Sequence, residues 1–287
     1  MNKKELKKSD LIKKYIDCGF SFEEAGAEID FAIEVISGLT PKDLIIGIMP
    51  SPKDIEKLEQ VIDTRLSTRA PIAQILGCSY FMGYKFEVTK DTLIPRPETE
   101  LLVKKAVELI KENNYKQILD IGSGSGCIAC MIAKKTDAQV LGIDISNEAL
   151  KICLNNAIHL DLANRAIFRK SDLFNRIREE EKFDLIVSNP PYIPLKDKHG
   201  LQIEVKDHEP SSALFTADEK GLEFYTKITQ TAYKYMNQNA SLIFEVGINQ
   251  AEDVMEIMEN NNYKDINCLT DVSGIKRVVY GILGDKK

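Results

Sequence analysis

From Gln117 onward, short apolar runs alternate with amphipathic stretches, and this alternation limits the possible folds more than any other feature of the chain. The runs at 117–121, 139–144, 166–170, 183–187, 241–246, 265–270 and 276–283 have the length and composition of strands. The stretches at 125–135, 147–160, 221–236 and 250–260 carry helical spacing. Strands that are apolar on both faces and separated by helices imply a mostly parallel, seven-stranded sheet covered on both sides. The expected fold class is α/β and Rossmann-like, and ligands of such sheets bind beyond the carboxyl ends of the strands.

Three of those strand ends carry candidate ligand groups. Ile118-Leu119-Asp120-Ile121 runs into Gly122-Ser123-Gly124-Ser125-Gly126 and then a helix. Glycines there let the backbone approach a ligand. Asp144 ends the next strand, where a carboxylate can accept from both hydroxyls of a ribose. Ser171-Asp172-Leu173 closes the third, where Asp172 could accept from an adenine amino group and Leu173 could cover the ring. Any one of these acids could as well cap the helix after it. Together with the glycine turn they read as a nucleoside site. No lysine of the phosphate-loop type follows the glycines, so an adenosine without a phosphate clamp is indicated, which points to S-adenosylmethionine.

The fourth strand, Phe183 to Val187, leads into Ser188-Asn189-Pro190-Pro191-Tyr192-Ile193-Pro194. Two successive prolines end the strand and stiffen what precedes them. The Asn189 side chain and the carbonyls of Asn189 and Pro190 are left to accept hydrogen bonds at the rim, with the Tyr192 ring beside them. A small planar group bearing N–H₂ suits such a site. A proline-punctuated turn closed by a packing tyrosine is the plainer alternative. The long segment from Ser188 to Lys220 is the kind of loop that carries function beside a ligand rim.

Upstream, residues 1–72 read as a helical domain. Ser21 and Glu24 form a capping box ahead of an Ile29, Ala32, Ile33, Ile36 stripe. Thr40-Pro41 and Ser51-Pro52 pair cap residues with proline, and Ile55, Leu58, Ile62 and Leu66 make a second stripe. No catalytic cluster lies here, so the domain is either a binding module or a structural cap. Residues 73–95 read as a linker with short strands or a hairpin at Tyr80–Val88, and 96–287 as the catalytic domain.

The net charge of −6 argues against a general nucleic-acid binder, although lysines crowd the start at Lys3, Lys4, Lys7, Lys8, Lys13 and Lys14. No apolar run approaches the roughly 20 residues of a membrane span, and no secretory leader is expected. Six cysteines without framework spacing fit a reducing compartment, so a cytoplasmic location is expected. Cys127 and Cys130 form a C-x-x-C just inside a helix and read as small packing residues. His159, His199 and His208 show no ligand spacing, so no metal is assigned.

Taken together, the chain resembles the bacterial peptide chain release factor glutamine methyltransferases. The resemblance runs through Pro71-Ile72-Ala73-Gln74-Ile75-Leu76-Gly77, Tyr80-Phe81-Met82-Gly83, Leu93-Ile94-Pro95-Arg96-Pro97-Glu98-Thr99-Glu100, the glycine turn, Asn189-Pro190-Pro191-Tyr192, Glu209-Pro210 and Gly221-Leu222. It implies a class I, S-adenosylmethionine-dependent methyltransferase with a small helical N-terminal domain that recognises the release factor. It also implies methyl transfer to the side-chain amide of the glutamine in a Gly-Gly-Gln motif, with S-adenosylhomocysteine as product. By position it places Gly122, Ser123, Gly124, Ser125, Gly126, Asp144, Asp172, Leu173 and Asn189 at the cofactor, and Asn189, Pro190, Pro191 and Tyr192 at the glutamine. Asn189, Pro190 and Tyr192 take the catalytic roles. Leu173 stands where relatives often have an aromatic residue, and Asp218-Glu219-Lys220 departs from the family pattern before Gly221. A monomer is expected. Because Asn-Pro-Pro-Tyr is shared with enzymes that methylate adenine amino groups, the alternatives are a DNA or RNA adenine methyltransferase and a non-catalytic S-adenosylmethionine-binding adaptor.

Overall fold

The structure, a computed structural model, describes residues 6–284. Lys3 and Lys4 of the basic run and residues 285–287 of the expected catalytic domain lie outside that range. The chain divides into two compact units, Met1–Cys78 with Ile203–His208, and Ser79–Gln202 with Glu209–Lys287. The helical unit thus runs past residue 72 and takes in a piece of the long loop that the sequence assigned to the catalytic domain.

The smaller unit holds α1 (Lys8–Asp17), α2 (Phe22–Ser37), α3 (Pro41–Ile45), α4 (Pro52–Thr68) and α5 (Ile72–Leu76). Helices α2, α3 and α4 each start at a complete capping box, Ser21 with Glu24, Thr40 with Asp43 and Ser51 with Asp54. These pairs satisfy amides that the first turn leaves unpaired, and α3 and α4 add proline in that turn. Tyr15, Ile29, Ile33, Leu58 and Ile62 form the centre of its core. Within it the buried guanidinium of Arg65 donates to both Glu28 oxygens at 2.8 and 2.9 Å and to Glu204 Oε1 at 3.0 Å. Its Cζ sits 4.5 Å over the Phe20 ring. A buried cation needs such partners, and Glu204, together with Gln74 Nε2 donating to the His208 carbonyl at 3.0 Å, accounts for the capture of Ile203–His208.

The larger unit begins with a hairpin of β1 (Cys78–Phe81) and β2 (Tyr84–Glu87), then α6 (Thr99–Asn113). The alternating part follows as β3 (Gln117–Ile121), α7 (Cys127–Lys135), β4 (Gln139–Asp144), α8 (Asn147–His159), β5 (Ala166–Lys170) and β6 (Phe183–Ser188). The long loop carries β7 (Ile193–Pro194), then α9 (Ile203–Lys206), which belongs to the smaller unit, then α10 (Ser211–Leu214) and β8 (Phe215–Thr216). The unit closes with α11 (Glu223–Ala232), β9 (Met236–Glu245), α12 (Ala251–Asn260), β10 (Tyr263–Thr270) and β11 (Lys276–Leu283).

The main sheet has seven strands in the order β10-β11-β9-β6-β3-β4-β5. Strands β9, β6, β3, β4 and β5 are parallel, and β11 runs antiparallel between β9 and β10. From β3 the chain winds outward through β4 and β5, then returns to place β6 on the other side of β3. This reversal is the switch point at which open sheets bind ligands. Two apolar layers clad the sheet, one including Leu102, Ala106, Cys130 and Ile132, the other Tyr225, Ile228, Val254 and Met258. Each fully buried side chain of the Leu, Ile or Phe kind contributes about 1.5–3 kcal/mol. Cys127 and Cys130 lie buried in α7, and burial pushes the Cys127 thiol up to about 12, so it stays a protonated packing group.

Asp120 is wholly buried in β3, and its carboxylate oxygens have no hydrogen-bond partner among the described residues. Burial pushes this carboxyl up to about 7. An acid whose folded value lies above its unfolded one stabilises the fold at low pH and loses that contribution as pH rises through the folded value. The apo protein should therefore lose thermal stability between about pH 4 and 7. Asp120→Asn should lose less over that interval, so that melting curves show the variant gaining on the wild type at pH 8. An identical pH slope in both proteins would count against an ionised, unpaired Asp120.

Candidate functional site

The site is assembled by strand register. Ile121 of β3 is paired with Ser188 of β6 and with Ile143 of β4, Ser188 with Phe244 of β9, and Asp144 with Lys170 of β5. The residues that follow, or end, these strands therefore stand at one level along the rim, in the order Ser171, Asp144, Gly122, Asn189, Glu245. Ser188 Oγ donates to the Ile121 carbonyl at 2.7 Å and locks the central pair.

The turn after β3 doubles back on β4, with the amides of Gly122 and Ser123 both donating to the Ile143 carbonyl at 2.9 and 3.0 Å. Gly122 and Gly124 take φ of +76° and +55°, conformations that side chains rarely adopt. A Cβ on either would meet nothing within 4 Å, so the turn is an open cradle. Asp144 accepts from the Gly124 amide through Oδ2 and from the Ser146 amide through Oδ1, each at 2.9 Å. These bonds fix the carboxylate while leaving lone pairs to accept more. Ser171 Oγ donates to the Leu173 carbonyl at 2.6 Å and accepts from the Arg176 amide at 3.0 Å, which holds Leu173 at φ +47°.

A cavity of about 260 Å³ lies over this rim. Gly122, Gly124, Asp144, Asp172, Leu173, Asn189, Pro190 and Pro191 all line it, with Ile143, Ile145, Phe224 and Ile228 supplying apolar wall. Asp172 is solvent-exposed at the edge. Ser123, Ser125 and Gly126 do not line it; they shape the turn behind, where Ser125 gives its carbonyl to Asn156 Nδ2 at 2.9 Å. Tyr192 also lies outside the lining. Its ring packs so close to Gly247 that a Cβ there would come within 2.9 Å of Cδ2. Burial pushes its hydroxyl up to about 12, so Tyr192 stays neutral.

Gln250 and Asn156, two structural residues of the site, were not singled out in the sequence. Gln250 donates through Nε2 to the carbonyls of Tyr192 and Lys220 at 3.0 and 2.8 Å, and accepts from the Gly247 amide at 3.0 Å. Gly221 presses on the same carbonyl, since a Cβ there would stand 2.0 Å from it. Asn156 donates to the Glu87 carbonyl at 3.0 Å and accepts from its amide at 2.7 Å, tying the hairpin to the glycine turn. Its signal was available: a polar residue on the buried stripe of α8, beside Ile152 and Cys153. Glu209 accepts from the Ile94 amide at 3.1 Å and from Arg96, which joins two of the motifs read from sequence. Asn189 Nδ2 donates to Thr99 Oγ1 at 3.4 Å.

The donor set fits a nucleoside carrying a cationic tail. A fixed carboxylate is available to diol hydroxyls, apolar side chains wall the cavity, and the open glycine cradle leaves room for a chain. Asn189 and the carbonyl next to it border the far end.

Comparison with known proteins gives the following. The Methyltransferase small domain family matches residues 98–205. The release factor glutamine methyltransferase of Clostridium acetobutylicum is 38% identical over 256 residues, covering 87% of this chain and 90% of that protein. That of Geobacter sulfurreducens is 36% identical over 265 residues, covering 91% of each. That of Fusobacterium nucleatum is 39% identical over 228 residues, covering 79% of this chain but 64% of its own length. Among solved structures, a methyltransferase from Pyrococcus furiosus shares the fold, with a TM-score of 0.52 and 16% identity over 80% of this chain and 99% of that one.

Replacing Gln250 by alanine strands the carbonyls of Tyr192 and Lys220 and the Gly247 amide. Denaturant unfolding of Gln250→Ala should show a loss of about 1–3 kcal/mol, the cost of leaving such groups unpaired. Unchanged stability would mean that the clasp holds nothing in place.

Proposed function

The chain belongs to the release factor glutamine methyltransferase family, and on that premise we propose that it transfers a methyl group from S-adenosylmethionine to the side-chain amide nitrogen of a glutamine in peptide chain release factors. The observation that supports this reading is the register of β3 with β6, which sets Asn189 beside the Gly122–Gly124 turn on the lining of one cavity. When bound, S-adenosylmethionine supplies an electrophilic sulfonium methyl and leaves as S-adenosylhomocysteine. Asp144 accepts from the ribose hydroxyls, Leu173 and Ile145 cover the base, and Asp172 accepts from its amino group. The Gly122–Gly126 turn makes room for the amino-acid tail.

A carboxamide nitrogen is a weak nucleophile because its lone pair is delocalised into the carbonyl. Asn189 Oδ1 and the Pro190 carbonyl accept its two hydrogens and aim the nitrogen, Pro191 closes the wall, and Tyr192, packed on Gly247 behind the lining, supports that wall. Alignment of this kind is worth several kcal/mol, about 7–11 in well-oriented systems. No strong base is required, since the proton leaves after nitrogen has gained its positive charge. Asn189→Ala should abolish methylation of release factor, with a far smaller loss of S-adenosylmethionine affinity, read by calorimetry. A wild-type single-turnover rate in the variant would end the role given to Asn189.

One glutamine amide is like another, so the choice of one in a large protein needs surface beyond the pocket. The helical unit offers Ile45, Ile46, Ile48 and Met49, which are 83, 73, 45 and 60% exposed in one short stretch. The capping boxes of α3 and α4 hold both ends of that stretch. Apolar side chains so gathered mark a protein contact, and in this reading the release factor covers them. Changing Ile45 and Ile46 together to serine should cut kcat/KM on intact release factor by roughly tenfold. Turnover of a short Gly-Gly-Gln peptide should be unchanged. Equal activity on both substrates would show that the helical unit is a structural cap.

A further inference from the structure

Asn189 can serve as an acceptor only if its amide is turned the right way, and its two ends are nearly equal in shape. The orientation is decided by what meets the inner end. Thr99 opens α6, directly after Pro95-Arg96-Pro97-Glu98; it is buried, and its Oγ1 takes the hydrogen bond from Asn189 Nδ2 at 3.4 Å. Glu245 ends β9 one residue past the Ser188–Phe244 pair, which sets it level with Asn189. The Thr99 hydroxyl and the Asn189 side chain lie near enough to its carboxyl for both to favour the ionised form. Glu245 is 3% exposed, and its Oε2 has no partner among the described residues.

An ionised carboxylate only accepts. With Glu245 ionised, a Thr99 hydroxyl turned towards it gives its proton to that carboxylate and presents a lone pair to Asn189. Only the Nδ2 end of the amide can meet that lone pair, which leaves Oδ1 as the end offered to the cavity. We propose that Thr99 and Glu245 are positioning residues that set the polarity of the Asn189 side chain and so make it an acceptor for the substrate amide. The proposal rests on the role given to Asn189 above, and it assigns a task to the Pro-Arg-Pro-Glu-Thr-Glu segment. That segment delivers Thr99 to the rim, while its Arg96 is anchored on Glu209.

The polarity depends on the charge of Glu245. Around it are Glu98 just before α6 and Thr99 at its start, Arg277 on β11, Asn189 and Tyr192 after β6, Tyr225 on α11 and Cys127 on α7. Burial keeps the two tyrosines and the thiol neutral. Burial pushes the Glu245 carboxyl up to about 7, Glu98 adds to the rise, and Thr99, Arg277 and Asn189 oppose it. Once protonated, Glu245 can donate to Thr99, which can then donate to Oδ1, and the amide turns its nitrogen to the substrate. Methyl transfer in the wild type should therefore fall as pH drops through about 7.

The test is single-turnover methylation of release factor by the full-length protein at saturating S-adenosylmethionine, with cofactor affinity measured alongside. Thr99→Val should slow methyl transfer by about tenfold or more at unchanged cofactor affinity. Thr99→Ser, which keeps the hydroxyl, should retain most of the rate. Glu245→Gln should slow transfer and abolish its fall below pH 7. A wild-type rate in Thr99→Val, or a Thr99→Ser variant as slow as Thr99→Val, overturns the proposal. If melting curves show that Thr99→Val does not fold, Glu245→Gln decides, and a wild-type rate with the acid limb intact overturns the proposal. A wild-type protein that leaves release factor unmethylated sinks the functional reading itself, and this proposal with it.

Discussion

The pairing of β3 with β6 is the constraint on which the rest of this molecule turns. Four residue pairs, Ile118 with Leu185 through Ile121 with Ser188, fix which residue leaves the sheet beside which. A slip of one residue would turn every side chain of the strand to the opposite face, exposing one apolar layer and burying the wrong groups. The apolar cladding of Leu119, Ile186 and their neighbours therefore does more than stabilise the unit. It holds Gly122 and Asn189 side by side, and the chemistry follows from packing.

The segments beyond the strand ends are loops, and loops ordinarily move. Here they are tied by single polar side chains that each serve several backbone groups. Gln250 gathers the chain at Tyr192, Lys220 and Gly247, and Asn156 gathers the hairpin and the glycine turn. The net gain from each such bond is only about 0.5–1.5 kcal/mol, but a wrong loop conformation would leave buried groups unpaired at greater cost. These residues therefore select one loop conformation more than they add stability.

Much of this was legible because it is periodic. The parallel strands β3, β4 and β5 and the helix α8 lie within a residue of where apolar spacing puts them, and the caps of α2, α3 and α4 announce themselves in a few residues. The misses have local causes. Strand β9 starts at Met236 and not 241, because the polar Asn237-Gln238-Asn239 passes through a register shift with Asn239 at φ +60°. The helix expected to reach 236 stops at Ala232, where Tyr233–Tyr235 tighten into a 3₁₀ turn. At the candidate site, the glycine turn, Asp144 and Asn-Pro-Pro-Tyr stand out because their chemistry is compressed into short motifs. Glu245 and Gln250 are ordinary in sequence, and Thr99, though it sits in a quoted motif, shares with them a role that only partners far along the chain reveal.

The capture of Ile203–His208 by the helical unit has a bearing on inheritance. The chain passes between the two units at Cys78–Ser79, at Gln202–Ile203 and again at His208–Glu209, so three backbone links connect them. Recombination at the first junction alone would bring in a foreign helical unit facing the resident Glu204, and a buried cation equivalent to Arg65 would have to find its carboxylate there by chance. A working chimera has to exchange the loop segment as well, at two further crossover points. The two parts of this chain are therefore bound to diverge as one heritable piece.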